Sequence, residues 1–287
     1  MGIERWNKII DISFQTDAGV PLKDAIVCPR TGRKPNIEIT GLMTQSQEAT
    51  SFSIKIKNYY FDTTNNQYQR VTVGCGYAGS VAQQVFSGSI NRMYKDFPGP
   101  EGTTVIDCID SPVTKWLGEA SDYNFDKGFS LRTAVEKICQ VMGLDPDIAP
   151  DITEVSSAPL QIQAGGMEVI KELRARFPDV VIVPFGKTIR VYKTDGLATR
   201  THTINYLSAP IQLQGGGTTK ATAIITAPWM PEVKPGDIII INSSYYATKS
   251  TKFYSKLEKS KFKVATVQFN FSTTTTLNQM VVLGTAI

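Results

Sequence analysis

The sequence predicts a mainly β protein that carries an α/β insert between two β-barrel domains. Two separate stretches, residues 71–90 and 228–241, each have the pattern of strands joined to a glycine or proline turn. Between these stretches the apolar residues change to helical spacing over residues 131–142. Neither β-rich stretch has the residue types of a reaction centre, so we expect a role in assembly rather than in catalysis.

Residues 1–125 are predicted to form the first barrel domain. Apolar and polar side chains alternate in residues 52–57 and again in residues 71–77, which is the pattern of half-buried strands. Turns rich in polar residues, glycine or proline follow at residues 62–66 and 97–102. These breaks fall at the spacing of β-hairpins.

Residues 126–200 are predicted to form an α/β insertion domain. Apolar residues recur there at intervals of three and four, and Ser130 and Gly143 are placed to cap the two ends of a first helix. A second helix is expected to end before Pro178, and a hairpin follows over residues 180–192. The apolar positions are Leu131, Ala134, Val135, Ile138 and Met142 in the first helix and Val169, Ile170, Leu173 and Phe177 in the second.

Residues 201–287 are predicted to form the second barrel domain, because the chain returns there to strand patterns. The predicted strands are residues 211–213, 221–226, 238–241, 262–271 and 280–283. In the long strand the apolar face changes between Val264 and Val267. We therefore expect a bulge near Ala265, since bulges are common where sheets curl into barrels.

The formal charge of +4 is unevenly distributed along the chain. Residues 249–263 contain six lysines and one glutamate, a local charge of +5, with aromatic residues between them. Such a segment can attract phosphate groups. The interpretation that we favour is a solvated hairpin end, or lysines that protect an exposed strand edge from pairing. The lysines are Lys249, Lys252, Lys256, Lys259, Lys261 and Lys263.

Neither a cofactor nor a membrane anchor is expected from the sequence. The four cysteines, Cys28, Cys75, Cys108 and Cys139, form no C-x-x-C pair, and His202 is the single histidine available to complete a metal site. We interpret the cysteines as buried reduced thiols, which suits assembly in a cytoplasm. No stretch approaches the roughly 18 apolar residues of a membrane span, and the first residues lack the apolar core of a signal peptide.

A glycine-rich motif keeps a second hypothesis open, that of a nucleotide-binding enzyme. Gly74, Gly76 and Gly79 match the G-x-G-x-x-G pattern, follow an apolar strand and precede Asp96 at about the distance of a ribose-binding acid. The mechanism needs a long helix directly after the glycines, with its N-terminus facing the pyrophosphate. Residues 80–86 allow barely two helical turns before Gly88, and a strand pattern follows, so this hypothesis is the weaker one.

A third hypothesis is a carbohydrate-binding or receptor-binding β module of a tail. Its exposed aromatic side chains would stack on sugar rings, and the candidates are Trp229, Tyr245 and Tyr246. The alternative interpretation of these residues is packing inside a barrel or at a subunit contact.

His202 and three nearby acidic residues do not form a catalytic or calcium site in the sequence. The histidine has no obvious partner, and a single histidine is more often structural than a general base. Asp145, Asp147 and Asp151 lie in a predicted loop without the glycine and the closing glutamate of a calcium loop. We therefore expect these carboxylates to be solvated.

Two further pairs of residues also fail as catalytic groups. Asp107 and Asp110 differ in parity on one predicted strand, so they should point to opposite faces. Ser87 and Ser89 lack the strand-to-helix elbow that exposes a nucleophile. We therefore predict no catalytic, cofactor-binding or metal-binding residues, and no enzymatic activity.

Several segments match, in order along the chain, the motifs of one known family. Residues 71–77 with 85–90 resemble a passage of "strand, G-Y, F-x-G-x-I", and a helix follows Gly128-Phe129-Ser130-Leu131. Residues 231–237, P-E-V-K-P-G-D, resemble the family's "P-x-I-x-P-G-D" turn, and residues 262–271 resemble its last long strand. These segments are similar to the baseplate hub proteins of contractile phage tails, the late control protein D family. Asn270 departs from the pattern, since many relatives carry histidine near this position.

The resemblance implies a hub subunit with two tube-type β-barrel domains that forms a homotrimer. Three copies of two similar domains would present a pseudo-sixfold ring, which adapts a sixfold tail tube to a threefold spike. The implied partners are the central spike protein, the tail tube protein, the tape-measure protein and the baseplate wedge proteins. Genome DNA would pass through the lumen without sequence-specific binding, in a virion tail baseplate assembled in the host cytoplasm. The residues agree in one respect, because barrels leave strand edges that neighbouring subunits can continue.

Overall fold

The structure of the chain is a computed structural model in which most strands and both predicted helices are described. The described residues are 8–16, 18, 20–22, 26–28, 35–45, 50–59, 61, 67–77, 82–97, 102–110, 120–194, 196–197, 200–205, 207, 211–214, 222–230, 232–242, 261–273 and 279–286. They are mainly strands, as predicted, and their helices lie in the predicted α/β insert.

The chain divides into two compact units, and the boundaries of these units differ from those of the predicted domains. Unit 1 comprises Met1–Leu42, Thr50–Ser111 and Phe269–Asn278, and unit 2 comprises Met43–Ala49, Pro112–Gln268 and Gln279–Ile287. A segment from the last strand region therefore belongs to unit 1. The division into a first barrel domain, an insert and a second barrel domain stays a prediction.

Unit 1 is built on one sheet. Its strands are β1 (Lys8–Gln15), β2 (Ile26–Cys28), β3 (Ile37–Thr44), β4 (Ser51–Lys57), β5 (Arg70–Tyr77), β6 (Gln83–Asp96), β7 (Thr103–Asp110) and the last residues of β17 (Lys261–Ser272). Hydrogen bonds order them β17, β3, β4, β7, β6, β5, β1 and β2. The register shifts between Val73 and Gly74 on β5 and between Ile90 and Arg92 on β6, so both strands are locally irregular.

The strands of unit 1 bury one face. On β4, Phe52, Ile54 and Ile56 are buried and the residues between them are partly or fully exposed, which confirms the predicted alternation. The Phe52 ring contacts the rings of Phe86 and Phe269, with centroids 4.0 and 5.1 Å apart. These aromatic contacts join β4 to β6 and β17 within unit 1.

Unit 2 contains the described helices, two small sheets and a further set of six paired strands. Its elements are β8 (Ser121–Phe125), α1 (Leu131–Met142), β9 (Asp145–Ile148), β10 (Leu160–Ala164), α2 (Gly166–Arg176), β11 (Val180–Phe185), β12 (Thr188–Lys193), β13 (Thr201–Ile204), β14 (Gln212–Gln214), β15 (Thr222–Pro228), β16 (Ile238–Ile241), the first part of β17, and β18 (Gln279–Ala286). One sheet pairs β8 with β10, and a second has the order β11, β12 and β9. The six further strands pair in the order β14, β15, β18, β17, β16 and β13. The pairs β9–β12 and β13–β16 are parallel.

The two helices form where the sequence predicts them. The Ser130 hydroxyl oxygen accepts a hydrogen bond from the Thr133 N–H at 3.1 Å, and Gly143 ends α1 with a φ of +65°. The buried residues of α1 are Leu131, Ala134, Val135, Ile138 and Cys139, and those of α2 include Val169, Ile170 and Leu173. These faces belong to one apolar core with β11 and β12. Neither of these described helices has the length and apolar character that a membrane crossing requires.

One predicted loop is a strand. Residues Asp145–Ile148 form β9 because they pair in parallel with β12, and the Asp145 N–H donates to the Lys187 carbonyl at 2.8 Å. Their acidic and proline residues have low strand propensity, which the pairing with β12 overrides. On β17 the buried face changes between Val264 and Val267, as predicted. The bulge near Ala265 stays a prediction.

Candidate functional site

The turn before β16 lies so close to β12 that residue 236 in this turn has to be glycine. Gly236 has a φ of +92°, and a Cβ atom built on it would lie 2.5 Å from the Tyr192 ring. The Asp237 N–H donates to the Lys234 carbonyl at 3.1 Å, and the Gly236 N–H donates to the Val264 carbonyl at 2.8 Å. The turn that carries the P-G-D motif therefore lies directly against β12.

The Asp237 carboxylate is the centre of a buried polar cluster in unit 2. Its side chain has no exposed surface. Arg190 Nη2 donates to Oδ1 at 2.7 Å, and the Lys234 N–H donates to Oδ2 at 3.0 Å. His202 Nε2 lies 2.9 Å from Oδ2 and donates to it when that nitrogen carries hydrogen. Both carboxylate oxygens are thus hydrogen-bonded.

Arg190 connects three segments of unit 2 through one guanidinium group. It lies on β12 between the buried apolar residues Ile189 and Val191, and its side chain is 2% exposed. Besides its bond to Asp237, its Nη1 donates to the Pro235 carbonyl at 2.8 Å and its Nε donates to Asp147 Oδ2 at 2.9 Å. Because Asp147 lies on β9, the guanidinium links β12, β9 and the turn before β16.

Opposing effects act on the pKa of Asp237, and the result is a lowered value. Burial raises this pKa, but the hydrogen bonds from His202 and Arg190 and the positive charge of Arg190 outweigh it. The carboxylate therefore stays ionised inside the protein. An interior charge is tolerated when it is paired and fully hydrogen-bonded, as this one is.

A second buried cation, Lys263, contacts the same tyrosine that Gly236 faces. Its Nζ donates to the carbonyls of Gly196 at 3.0 Å and Leu197 at 2.8 Å, and it lies 5.3 Å from the centroid of the Tyr192 ring. Burial is the main reason that the pKa of Tyr192 is raised well above its usual range. The hydrogen bonds of Lys263 therefore connect β17 to the segment that follows β12.

This cluster has a structural role, because its hydrogen bonds connect several strands of unit 2. Its central carboxylate is buried, and each of its oxygens accepts a hydrogen bond from a protein group. His202 brings β13 into the same network, and Arg190 brings in β9 and β12. The cluster therefore fastens the α/β insert to the β13–β16 region within unit 2.

The glycine-rich motif does not have the geometry that nucleotide binding needs. Gly74 and Gly76 are part of β5 and pair with β1, and Gly79 lies outside the described residues. From Gln83 the chain is strand again, so among the described residues no helix N-terminus follows these glycines. The nucleotide-binding hypothesis loses its structural basis at this motif.

The sugar-binding hypothesis loses one of its three aromatic side chains. Trp229 is 6% exposed, so its ring has no open face for a sugar. Tyr245 and Tyr246 lie outside the described residues.

The lysine-rich segment is described only at its end, and there one expectation is wrong. Lys261 is exposed, as a solvated lysine should be. Lys263 is 3% exposed because its side chain packs inside unit 2, where its Nζ donates to the carbonyls of Gly196 and Leu197. The lysines that lie outside the described residues are Lys249, Lys252, Lys256 and Lys259.

The cysteines are structural residues where their side chains are described. Cys75, Cys108 and Cys139 are buried and free, and Cys28 lies on β2. Burial raises the pKa of all three buried thiols, that of Cys139 to about 12, so they are protonated at neutral pH. In the part of the chain that the structure describes, no group of three histidine, cysteine or acidic side chains is arranged to hold a metal ion.

The histidine and two of the acidic residues in the predicted loop have partners that the sequence does not reveal. His202 pairs with Asp237, in agreement with a structural role. Asp147 and Asp151 are not simply solvated, because they accept hydrogen bonds from Arg190 and from the Leu197 N–H, the latter at 2.8 Å. These partners are 35 to 46 residues apart in the chain, so local sequence patterns do not pair them.

The remaining candidates form ordinary sheet contacts. Asp107 accepts hydrogen bonds from the Arg92 Nη2 at 3.0 Å and the Ser53 hydroxyl at 3.1 Å. The hydroxyl groups of Ser87 and Thr72 lie 3.2 Å apart on neighbouring strands. Asp110 and Ser89 lie on the strands β7 and β6. None of these contacts joins a nucleophile to a base.

Sequence reasoning misses the buried cluster, although two signals point to it. Arg190 interrupts the apolar strand T-I-R-V-Y-K, and Asp237 directly precedes four isoleucines. A charge of each sign in apolar surroundings predicts a buried ion pair, since an unpaired charge there is costly. The second of these signals, Asp237, is the last residue of the P-G-D motif.

The segments that carry the family resemblance have defined places in the fold. Residues 71–77 belong to β5, residues 85–90 to β6 and residues 262–271 to β17, while residues 235–237 form the turn against β12. Asn270 is exposed and donates to Glu38 Oε1 at 3.1 Å.

Comparison with known proteins gives matches in structure alone. No family model and no curated protein sequence matches the chain. The chain is similar to the prophage MuSo2 43 kDa tail protein from Shewanella oneidensis, with 9% identity, a TM-score of 0.59 and 96% of each chain covered. It is similar to the tail protein from Neisseria meningitidis MC58, with 9% identity, a TM-score of 0.58 and coverage of 98% of this chain and 97% of that one.

A third similar structure comes from a secretion system. The E. coli c3393 protein is described as a component of the type VI secretion system with structural similarity to the T4 bacteriophage tail proteins gp27 and gp5. It shares 8% identity and a TM-score of 0.58, over 89% of this chain and 75% of that one. Nearly the whole chain therefore has the β-rich fold of these tail proteins.

Proposed function

We propose that the chain is a structural subunit of a phage-type tail, and that within the tail it is the baseplate hub that joins the tail tube to the central spike. The observation that carries the proposal is the coverage of the fold match, which is 96% of this chain and of the Shewanella tail protein. The match to the E. coli secretion-system protein, itself described as similar to T4 tail proteins, supports a place in tail-like machinery.

In this role the chain forms a homotrimer of two tube-type barrel domains per subunit. The trimer binds the central spike protein on one side and the tail tube protein on the other, and it contacts the tape-measure and wedge proteins. Genome DNA passes through its lumen without sequence-specific binding. A closed ring suits a chain with many strands, because neighbouring copies satisfy strand edges that each copy leaves open.

The buried cluster of unit 2 supports an adaptor function. Copies in a symmetric ring have to present the same surface, so each subunit needs one defined conformation. Arg190, Asp237 and His202 fix the insert to the β13–β16 region through directional, buried hydrogen bonds. A unit fastened in this way keeps its contact surfaces in a constant arrangement.

The two other functions have less support. The nucleotide-binding hypothesis needs a helix after Gly74 and Gly76, whereas both residues lie in β5. The sugar-binding hypothesis needs an exposed Trp229, which is buried. A structural tail function needs neither feature.

Native mass spectrometry of the purified chain tests the proposal. We expect a species with the mass of three 31.5 kDa chains, which binds the spike protein and the tail tube protein encoded beside it. A tail tube protein from an unrelated phage is the specificity control and should not bind. A stable monomer that binds neither partner contradicts the proposal, and a trimer that binds the tube but not the spike contradicts the hub position alone.

A further inference from the structure

We draw no further inference here: the strongest candidate, the surface patch at the end of β6 in unit 1 where the side chains of Tyr94 and Phe97 are exposed, carries nothing because nothing in the part of the chain that the structure describes shows what covers it.

Discussion

The Arg190 guanidinium donates a 2.7 Å hydrogen bond to the Asp237 carboxylate, and the two side chains are 2% and 0% exposed. The two residues are 47 positions apart, one in the insert and the other in the turn before β16. This pair therefore connects parts of unit 2 that are distant in the sequence. The contribution of this pair to the free energy of unfolding can be measured with single substitutions.

Replacing Asp237 by asparagine should strongly destabilise unit 2. The change leaves the Arg190 charge buried without its main partner, which typically costs about 3–5 kcal/mol. Urea unfolding followed by circular dichroism measures the loss. Asp147→Asn is the matched control, and it should cost about 1 kcal/mol because its side chain is 24% exposed. A loss below about 1 kcal/mol for Asp237→Asn would show that the pair is energetically unimportant.

The stability of unit 2 should fall in acid because of Asp237. Its pKa in the folded chain is lowered, so its contribution is complete above the ordinary carboxyl pKa of about 3.9 and is lost as the pH falls through the lowered folded value. Urea unfolding between pH 6 and pH 3 should show a decrease in the free energy of unfolding that is smaller in Asp237→Asn. Equal decreases in the two proteins would contradict this assignment.

Gly236→Ala should cost more stability than Gly143→Ala. Both glycines have positive φ values, which cost alanine about 1–2 kcal/mol. At Gly143 an added Cβ meets no atom within 4 Å, whereas at Gly236 it meets the Tyr192 ring at 2.5 Å. We expect Gly236→Ala to lose about 1–3 kcal/mol more, measured by thermal and urea unfolding. Equal losses at the two positions would mean that the ring moves away freely.

Lys263→Met should destabilise the chain, and Lys261→Met should not. The first change leaves the carbonyls of Gly196 and Leu197 without their donor, at an expected cost of about 1–3 kcal/mol. Lys261 is exposed, so its change should stay within about 0.5 kcal/mol of the wild type. The comparison is made by urea unfolding at one salt concentration. If both variants match the wild type, Lys263 behaves as the solvated lysine that the sequence suggests.

Sequence patterns predict the parts of the fold that local residues determine. Helix α1 is an example, because Ser130, Gly143 and the apolar spacing between them lie within one short stretch. Strand β9 is the opposite case, since its pairing with β12 overrides a sequence typical of a loop. The buried cluster also depends on distant partners, so the sequence shows the isolated charges of Arg190 and Asp237 but not the hydrogen bonds that they form.

The long strand β17 contributes Lys261–Gln268 to unit 2 and Phe269–Ser272 to unit 1. During translation, unit 1 therefore has to wait for its final strand until almost all of unit 2 has left the ribosome. No single cut in the chain releases either unit intact. Dissecting this protein genetically thus calls for circular permutation or point substitution rather than for truncation.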